Sequence, residues 1–374
     1  MPNLSTSNDV NDVNDVNDVN DVNVIILAAG HGTRMNSSIS KVLHEVGNKT
    51  LIQHVIDAAT SLSSSIYVII GHNSDAVKKS VSSNLIKWVL QKNPLGTAHA
   101  VLQAIPNIQE NSMCLILYGD VPLIQTHTLL KLLEKANKTG FSLLTVIQDN
   151  PSGYGRIIRD SSKSIQSIIE HKDANTEELQ INEINTGIMA ISRALLVKYI
   201  NQLEPNNSQD ELYLTDIVEK AVKDNVNIAS FICENSAEVM GINDKNNLAE
   251  AERAYQLKIA DDLMTNGLTI KDPSRFDCRG NLIFGNDCII DVNVIFEGEV
   301  KLGKNVLISP NCIIKNSKIG DNAHIMPNSM IEDSVIGSHT SIGPFARIRP
   351  ETQIGSHAKI GNFVEVKKSI IDDN

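Results

Sequence analysis

The segment Leu27-Ala28-Ala29-Gly30-His31-Gly32-Thr33-Arg34-Met35, followed by Lys41, carries parts suited to one task. Gly30 and Gly32 let backbone N–H groups close on an anionic ligand, Arg34 adds a planar charge, and Lys41 adds a second, mobile one. A nucleoside triphosphate suits such groups. The spacing is neither G-x-G-x-x-G, because a third glycine is missing, nor a Walker pattern, because Lys41 stands too far downstream. A second candidate is Asp120, in Leu117-Tyr118-Gly119-Asp120-Val121-Pro122. Any reaction at a nucleoside triphosphate takes place at an already anionic phosphorus, so charge neutralisation and geometry matter more than proton movement. A divalent metal is therefore expected. A carboxylate at the end of a buried strand can hold Mg²⁺, with Gly119 permitting close approach. In isolation Asp120 reads more simply as a loop aspartate capping the next helix, and the opening motif reverses that preference.

These residues need a frame that brings strand ends together. From Val24 to about Asn243, short apolar runs alternate with helical patterns: Val24 to Leu27, then Leu51, Val55, Ala58 and Leu62, then Ile66 to Ile70. Ala98, Val101, Leu102 and Ile105 form another helix face, and Met113 to Leu117 another strand. This alternation predicts an α/β, Rossmann-like domain with a mostly parallel sheet and ligands at the carboxyl ends of its strands. Gly30 and Asp120 both fall at such ends.

Leu248, Ala251, Tyr255, Ile259 and Leu263 predict a connecting helix that Gly267 stops. After Asp272-Pro273 the period becomes six. Large apolar residues recur at Phe284, Ile290, Phe296, Leu302, Ile308 and Ile314, step back by one at Ile319, Ile325 and Ile331, and again from Ile336 to Val366. A small or β-branched residue follows four positions after most of them, Val335 and Val364 included. Three hexapeptides make one coil of a parallel β-helix, and the run predicts about five coils. At the other end, Asn-Asp-Val repeats from Asn8 to Val22 and predicts a disordered leader. The expected organisation is a leader over 1–23, a Rossmann-like domain over 24–246, a linker helix over 247–272 and a β-helix over 273–374.

A chain of 374 residues with 41% apolar content has ample core for two domains. Its formal charge of −11 argues against a general nucleic-acid binder. Five cysteines without a CxxC pair, no apolar run of membrane-spanning length and no secretion signal fit a soluble, cytoplasmic protein.

The opening run resembles the sugar nucleotidyltransferase signature L-x-x-G-x-G-T-R-M with a later Pro-Lys, although Ser40 stands where the proline is expected. With Gln91, Leu95 to Ala100, Tyr118-Gly119-Asp120, Gly153 to Arg156, Glu170 to Ala174, Ile184 to Gly187 and Gly241-Ile242-Asn243, the chain resembles the bacterial bifunctional N-acetylglucosamine-1-phosphate uridyltransferases and glucosamine-1-phosphate acetyltransferases. The resemblance implies that the backbone of Leu27, Ala28, Ala29 and Gly30, with Gln91, Gly96 and Thr97, holds uracil and ribose. It places Arg34 and Lys41 at the triphosphate and Gly155, Glu170 and Asn185 at the amino sugar. Asp120 and Asn243 would hold Mg²⁺, with Tyr118 and Gly119 in the same substrate-binding set. Locally, Glu170 and Asn185 suit an exposed polar surface equally well, and the glycines around Arg156 either serve a ligand or only shape a turn that leaves the arginine solvated.

The implied reaction joins UTP and N-acetylglucosamine 1-phosphate into UDP-N-acetylglucosamine and pyrophosphate, for peptidoglycan and lipopolysaccharide precursors. Another nucleotide and sugar pair, or an inactive remnant, is the competing reading. For the second half the resemblance implies a left-handed β-helix, a homotrimer and acetyl transfer from acetyl-CoA, with Arg349 and Lys367 on the sugar phosphate. The family's catalytic histidine, its tyrosine neighbour and the acetyl-CoA residues belong to coils after Asn374, so no appreciable acetyltransferase activity is expected, and an uncapped last coil is expected to lower solubility. His324, His339 and His357 read as solvated turn residues.

Overall fold

A computed structural model describes residues 21–30, 32–71, 74–205 and 210–374. Nearly all of the expected leader lies outside the described residues. The chain divides into two units, one holding the chain up to His44 and Leu51–Asn243, the other Glu45–Thr50 and Asp244–Asn374.

The first unit is built on strands β1 (Val22–Ala28), β2 (Ser65–Ile70), β3 (Ile86–Leu90), β4 (Met113–Tyr118), β5 (Phe141–Ile147), β6 (Glu183–Ser192) and β7 (Ala229–Cys233), in the order β7-β5-β6-β4-β1-β2-β3. Strand β1 starts two residues before the expected domain boundary. Val22 pairs with Met113, and Asn23 with Ser65 and Cys114, so the ladder overrides the repeat pattern. Parallel pairing joins β4, β1, β2 and β3, and also β5 and β7. Strand β6 departs from the parallel expectation and runs antiparallel to β4 and β5. Its connection from β5 contains a hairpin, Arg156–Arg159 with Ile165–Ile169, in place of the crossover helix that a parallel return requires.

Val24, Ile25 and Ile26 are all fully buried, which a strand achieves only when both sheet faces are covered. Helices α1 (Leu51–Thr60), α2 (Ser74–Ser80) and α4 (Thr126–Thr139) pack with Val24 and Ile26. Helices α3 (Thr97–Ala104), α5 (Arg193–Ile200) and α6 (Ile217–Lys223) pack with Ile25 on the opposite face. The buried positions of α1 are Leu51, Ile52, Val55, Ile56 and Ala59; Ala58 is half-buried, and Leu62 lies beyond the helix.

In the second unit, helix α7 spans Lys245–Thr265. It starts before residue 247 because Asp244 caps it, accepting from the N–H groups of Asn246 and Asn247 at 2.9 Å each. A small hairpin, Glu45–Val46 with Lys49–Thr50, belongs to this unit, and the Gly47 N–H donates to Glu252 of α7 at 2.7 Å. Short parallel strands then stack in register: Ile289 on Leu307, His324, Ser341 and Lys359 in turn. Ile290, Ile308, Ile325, Ile342 and Ile360 fill one interior column.

Where the repeat drops a residue, between Ile331 and Ile336, the inward small residue is Ser334. Val335, expected inside, is 46% exposed, because the shortened repeat turns it outward. Val364, also expected inside, is 38% exposed. The turns are left-handed at Asn293, Asn311 and Asn328, with φ near 60°. Asparagine tolerates that region, and these side chains form a ladder, Asn293 to Asn311 at 2.9 Å and Asn311 to Asn328 at 3.2 Å.

Ile308→Ala is expected to lower unfolding free energy by about 2–5 kcal/mol, and Val335→Ala by less than about 0.5 kcal/mol. Urea titrations of the two variants give the comparison, and equal losses would contradict this assignment of inside and outside.

Candidate active site

Strands β1 and β4 lie side by side with Leu27 opposite Tyr118, and the Gly119 N–H donates to the Leu27 carbonyl at 2.9 Å. A Cβ on Gly119 would stand 3.3 Å from that carbonyl oxygen and from Val42. This glycine therefore lets the end of β4 close on its neighbours, whereas a Cβ on Gly30 would meet nothing within 4 Å. Past the strand ends lies a cavity of about 410 Å³. Its walls include Leu27, Ala28, Ala29, Gly30, Lys41, Gln91, Gly96, Thr97, Tyr118, Asp120 and Asn243.

At the charged end, Lys41 Nζ pairs with Asp120 Oδ2 and lies 3.2 Å from Asn243 Oδ1. Arg34 stands outside the cavity wall but donates from Nη2 to the same Asn243 oxygen at 3.0 Å. The Ile242 N–H donates to the Asp120 carbonyl at 2.9 Å, which sets Asn243 beside the aspartate. Among the described residues there is no group of three or more His, Cys, Asp and Glu side chains able to hold a metal. A cation at this point would take one carboxylate and one amide oxygen from the protein. Such hard oxygen donors, with water and phosphate completing the shell, fit Mg²⁺.

At the opposite end, Gln91 is buried, its Nε2 donating to the Gly96 carbonyl at 3.2 Å and lying 3.0 Å from His99 Nδ1. The Gly96 loop is fixed by a segment with no sequence signal. Ala98 N–H donates to Leu212, Leu212 N–H to Leu95, and Leu214 N–H to the Thr97 hydroxyl, each at 3.0 Å. Glu211, which lines the cavity, was missed for that reason, along with Val42, Pro94 and Ala100. Their placement depends on long-range pairing that no periodicity marks.

Gly155, Glu170 and Asn185 form a separate group outside the cavity wall. Asn185 N–H donates to the Gly155 carbonyl at 2.8 Å, and a Cβ on Gly155 would lie 3.3 Å from Glu170 Oε2. Asn185 is 8% exposed and its Oδ1 accepts from the Gly187 N–H, so it is no ordinary surface residue. Gly187 joins this group to the cavity: its φ is +81°, and a Cβ there would strike the Tyr118 ring at 2.5 Å. Arg156 is 2% exposed, against the reading as a solvated charge, because its guanidinium donates to the Tyr154 and Leu179 carbonyls.

Burial, with the Glu170 and Asp120 carboxylates nearby, raises the Tyr118 hydroxyl and keeps it protonated. Burial also pushes the Glu170 carboxyl above the usual range, partly offset by the Thr215 hydroxyl that it accepts at 3.2 Å. All five cysteines are buried and unpaired, and burial takes Cys114 up to about 12. In the second unit the register sets Arg349 beside Lys367, with Arg349 donating to Glu365 at 2.8 Å. The His339 and His357 rings stack at 4.7 Å, whereas His324 lies on a strand, 3.0 Å from the Ser309 hydroxyl, and is no turn residue.

Residues 24–186 match the MobA-like NTP transferase domain, and residues 278–374 the GMPPB C-terminal domain. The chain is 53% identical over 350 residues to the bifunctional protein GlmU of Ruthia magnifica subsp. Calyptogena magnifica, covering 94% of this chain and 77% of that relative. The chain belongs to the GlmU family. Its similarity to the GlmU of Idiomarina loihiensis is 48% over 347 residues, covering 92% of this chain and 76% of the relative. The solved structure of UDP-glucose pyrophosphorylase complexed with UDP-glucose shares the fold, with a TM-score of 0.54 at 18% identity, over 64% of this chain and 99% of that one. The family accounts for a sugar nucleotidyltransferase on a Rossmann-like sheet, followed by a domain of stacked parallel strands. No helix among the described residues is long and apolar enough to cross a membrane.

Two variants probe this geometry. Gly187→Ala forces both a left-handed φ and a contact with Tyr118, and is expected to cost about 1–3 kcal/mol in a denaturant titration. Glu170 carries a raised folded-state pKa, so the folded chain holds that proton more tightly than the unfolded one. Its contribution to stability is present below the unfolded value of about 4.3 and is lost as pH rises through the folded value. Glu170→Gln removes that loss, so the variant should gain on the parent from about pH 4 to neutrality. A pH-independent difference would contradict the burial of the charged carboxylate.

Proposed function

We propose that the chain transfers UMP from UTP to N-acetylglucosamine 1-phosphate, giving UDP-N-acetylglucosamine and pyrophosphate in the cytoplasm. The observation that carries the reading is the convergence of Lys41, Asp120 and Asn243 on one end of a cavity whose other end holds Gln91 and Gly96. The bifunctional GlmU relatives supply the nucleotide and sugar class.

In this reading uracil and ribose lie along Leu27 to Gly30, Gln91 and Gly96-Thr97, where an amide can read a donor and an acceptor edge. Arg34 and Lys41 face the triphosphate, and Gly155, Glu170 and Asn185 hold the amino sugar. When bound at Asp120 and Asn243, Mg²⁺ supplies positive charge to the phosphate oxygens. The chain's own residues orient the sugar phosphate and keep its oxygen in line with the α-phosphorus, the positional advantage on which such displacements depend. Tyr118 separates the sugar group from the charged end, and its protonated hydroxyl adds no anion there.

For residues 273–374 we propose a left-handed β-helix of about five coils that assembles as a trimer, with Arg349 and Lys367 on a sugar phosphate. Their backbones stand on adjacent coils, with the Arg349 N–H donating to the Val366 carbonyl at 2.9 Å.

Pyrophosphate release measured across four nucleotides and several sugar phosphates should be fastest with UTP and N-acetylglucosamine 1-phosphate. A faster rate with another pair would overturn the specificity. Asp120→Asn should reduce kcat/KM on the order of 10²-fold or more, the scale for removing one preorganised electrostatic group.

A further inference from the structure

Lys41, proposed above to face a triphosphate, is also the ion-pair partner of Asp120. Its ammonium bridges Asp120 and Asn243, the two residues whose oxygens the proposed function reserves for a divalent cation. The Asn243 oxygen also accepts from Arg34 at 3.0 Å, so two cationic groups already share an acceptor with two lone pairs. Of these two cations, Lys41 is the one that reaches both Asp120 and Asn243. A divalent ion cannot join these oxygens while the ammonium lies between them, since one carboxylate cannot neutralise three positive charges at contact distance. The lysine stem is long and rotatable, so its ammonium can leave the pair for a nearby anion.

We propose that Lys41 is an exchangeable internal counterion that keeps the Asp120–Asn243 cation site closed until a triphosphate draws its ammonium away. The inference rests on the proposed metal role of Asp120 and Asn243, and goes beyond it by coupling cation entry to nucleotide binding through one side chain. In the free chain the ammonium balances Asp120. When triphosphate oxygens arrive they offer the ammonium a more highly charged partner, and the vacated carboxylate and amide oxygens then face a cation carried with the nucleotide.

The test uses Mn²⁺ as the probe, titrated into the full chain and read without nucleotide from the paramagnetic resonance signal of free Mn²⁺ and, with UTP, which itself binds Mn²⁺, from the excess Mn²⁺ on the protein side of a dialysis membrane. Without nucleotide, Lys41→Met should bind Mn²⁺ at least tenfold more tightly than the parent, and Lys41→Arg, which keeps the charge, should stay as weak as the parent. Lys41→Gln gives the same neutral state should the methionine variant unfold. With UTP present the parent should hold Mn²⁺ as tightly as the neutral variants. Equal or weaker Mn²⁺ binding by both neutral variants without nucleotide, alongside normal retention by the parent with UTP, would overturn the counterion role and leave the metal reading intact. If Asp120→Asn with UTP retains Mn²⁺ as the parent does, the metal reading itself fails, and this inference with it.

Discussion

The parallel pairing of β1 with β4 is the constraint from which the site follows. Two strands that run the same way end at the same edge of the sheet, so the Leu27–Gly30 backbone and the Tyr118–Asp120 segment become neighbours although some ninety residues separate them in sequence. The Gly119 contact with Leu27 closes the two ends against each other. Arg34, Lys41 and Asp120 then gather on one side of that junction. Lys41 comes in from a turn after β1, and Asn243 is set in place by its neighbour Ile242, whose N–H donates to the Asp120 carbonyl. The sheet supplies rigidity; the loops supply the chemistry.

What could be read from the residues followed the strength of local pattern. The runs at Val24 to Leu27 and Met113 to Leu117 are apolar on consecutive positions, which only a strand covered on both faces sustains, and the residues just past them line the cavity. The antiparallel course of β6 was illegible, because strand direction depends on what connects β5 to β6 and not on the composition of either. Glu211 was illegible for a related reason: it reaches the cavity only because Leu212 pairs with the Leu95–Ala98 loop. Arg156 stayed open because glycines beside an arginine fit a ligand loop and a solvated turn alike, and the backbone carbonyls that satisfy it in the interior carry no sequence signal.

The second unit shows a tighter correspondence between sequence and structure. Each interior isoleucine sits on the one a turn away, so a period of six becomes a stack without long-range information beyond counting. The counting fails where a repeat is one residue short, and there Ser334 and Val335 exchange places; it fails again in the last described coil, where Val364 is exposed. The asparagine ladder at the turns adds a second regularity. A side chain that tolerates left-handed backbone also happens to hydrogen-bond its copy on the next turn.

The hairpin at Glu45–Thr50 gives the chain an unusual path. It leaves the first unit after His44, lays Val46 in a fully buried position with the Gly47 amide bonded to Glu252 of α7, and returns at Leu51. Lys41 lies just before the first of these crossings, and Asn243 immediately before the last. The two units are therefore threaded and not merely consecutive: a fragment ending at Asn243 would keep the hairpin yet lose the helix that receives it. The boundary that looks cleanest for cutting the molecule into modules is one at which neither piece is whole.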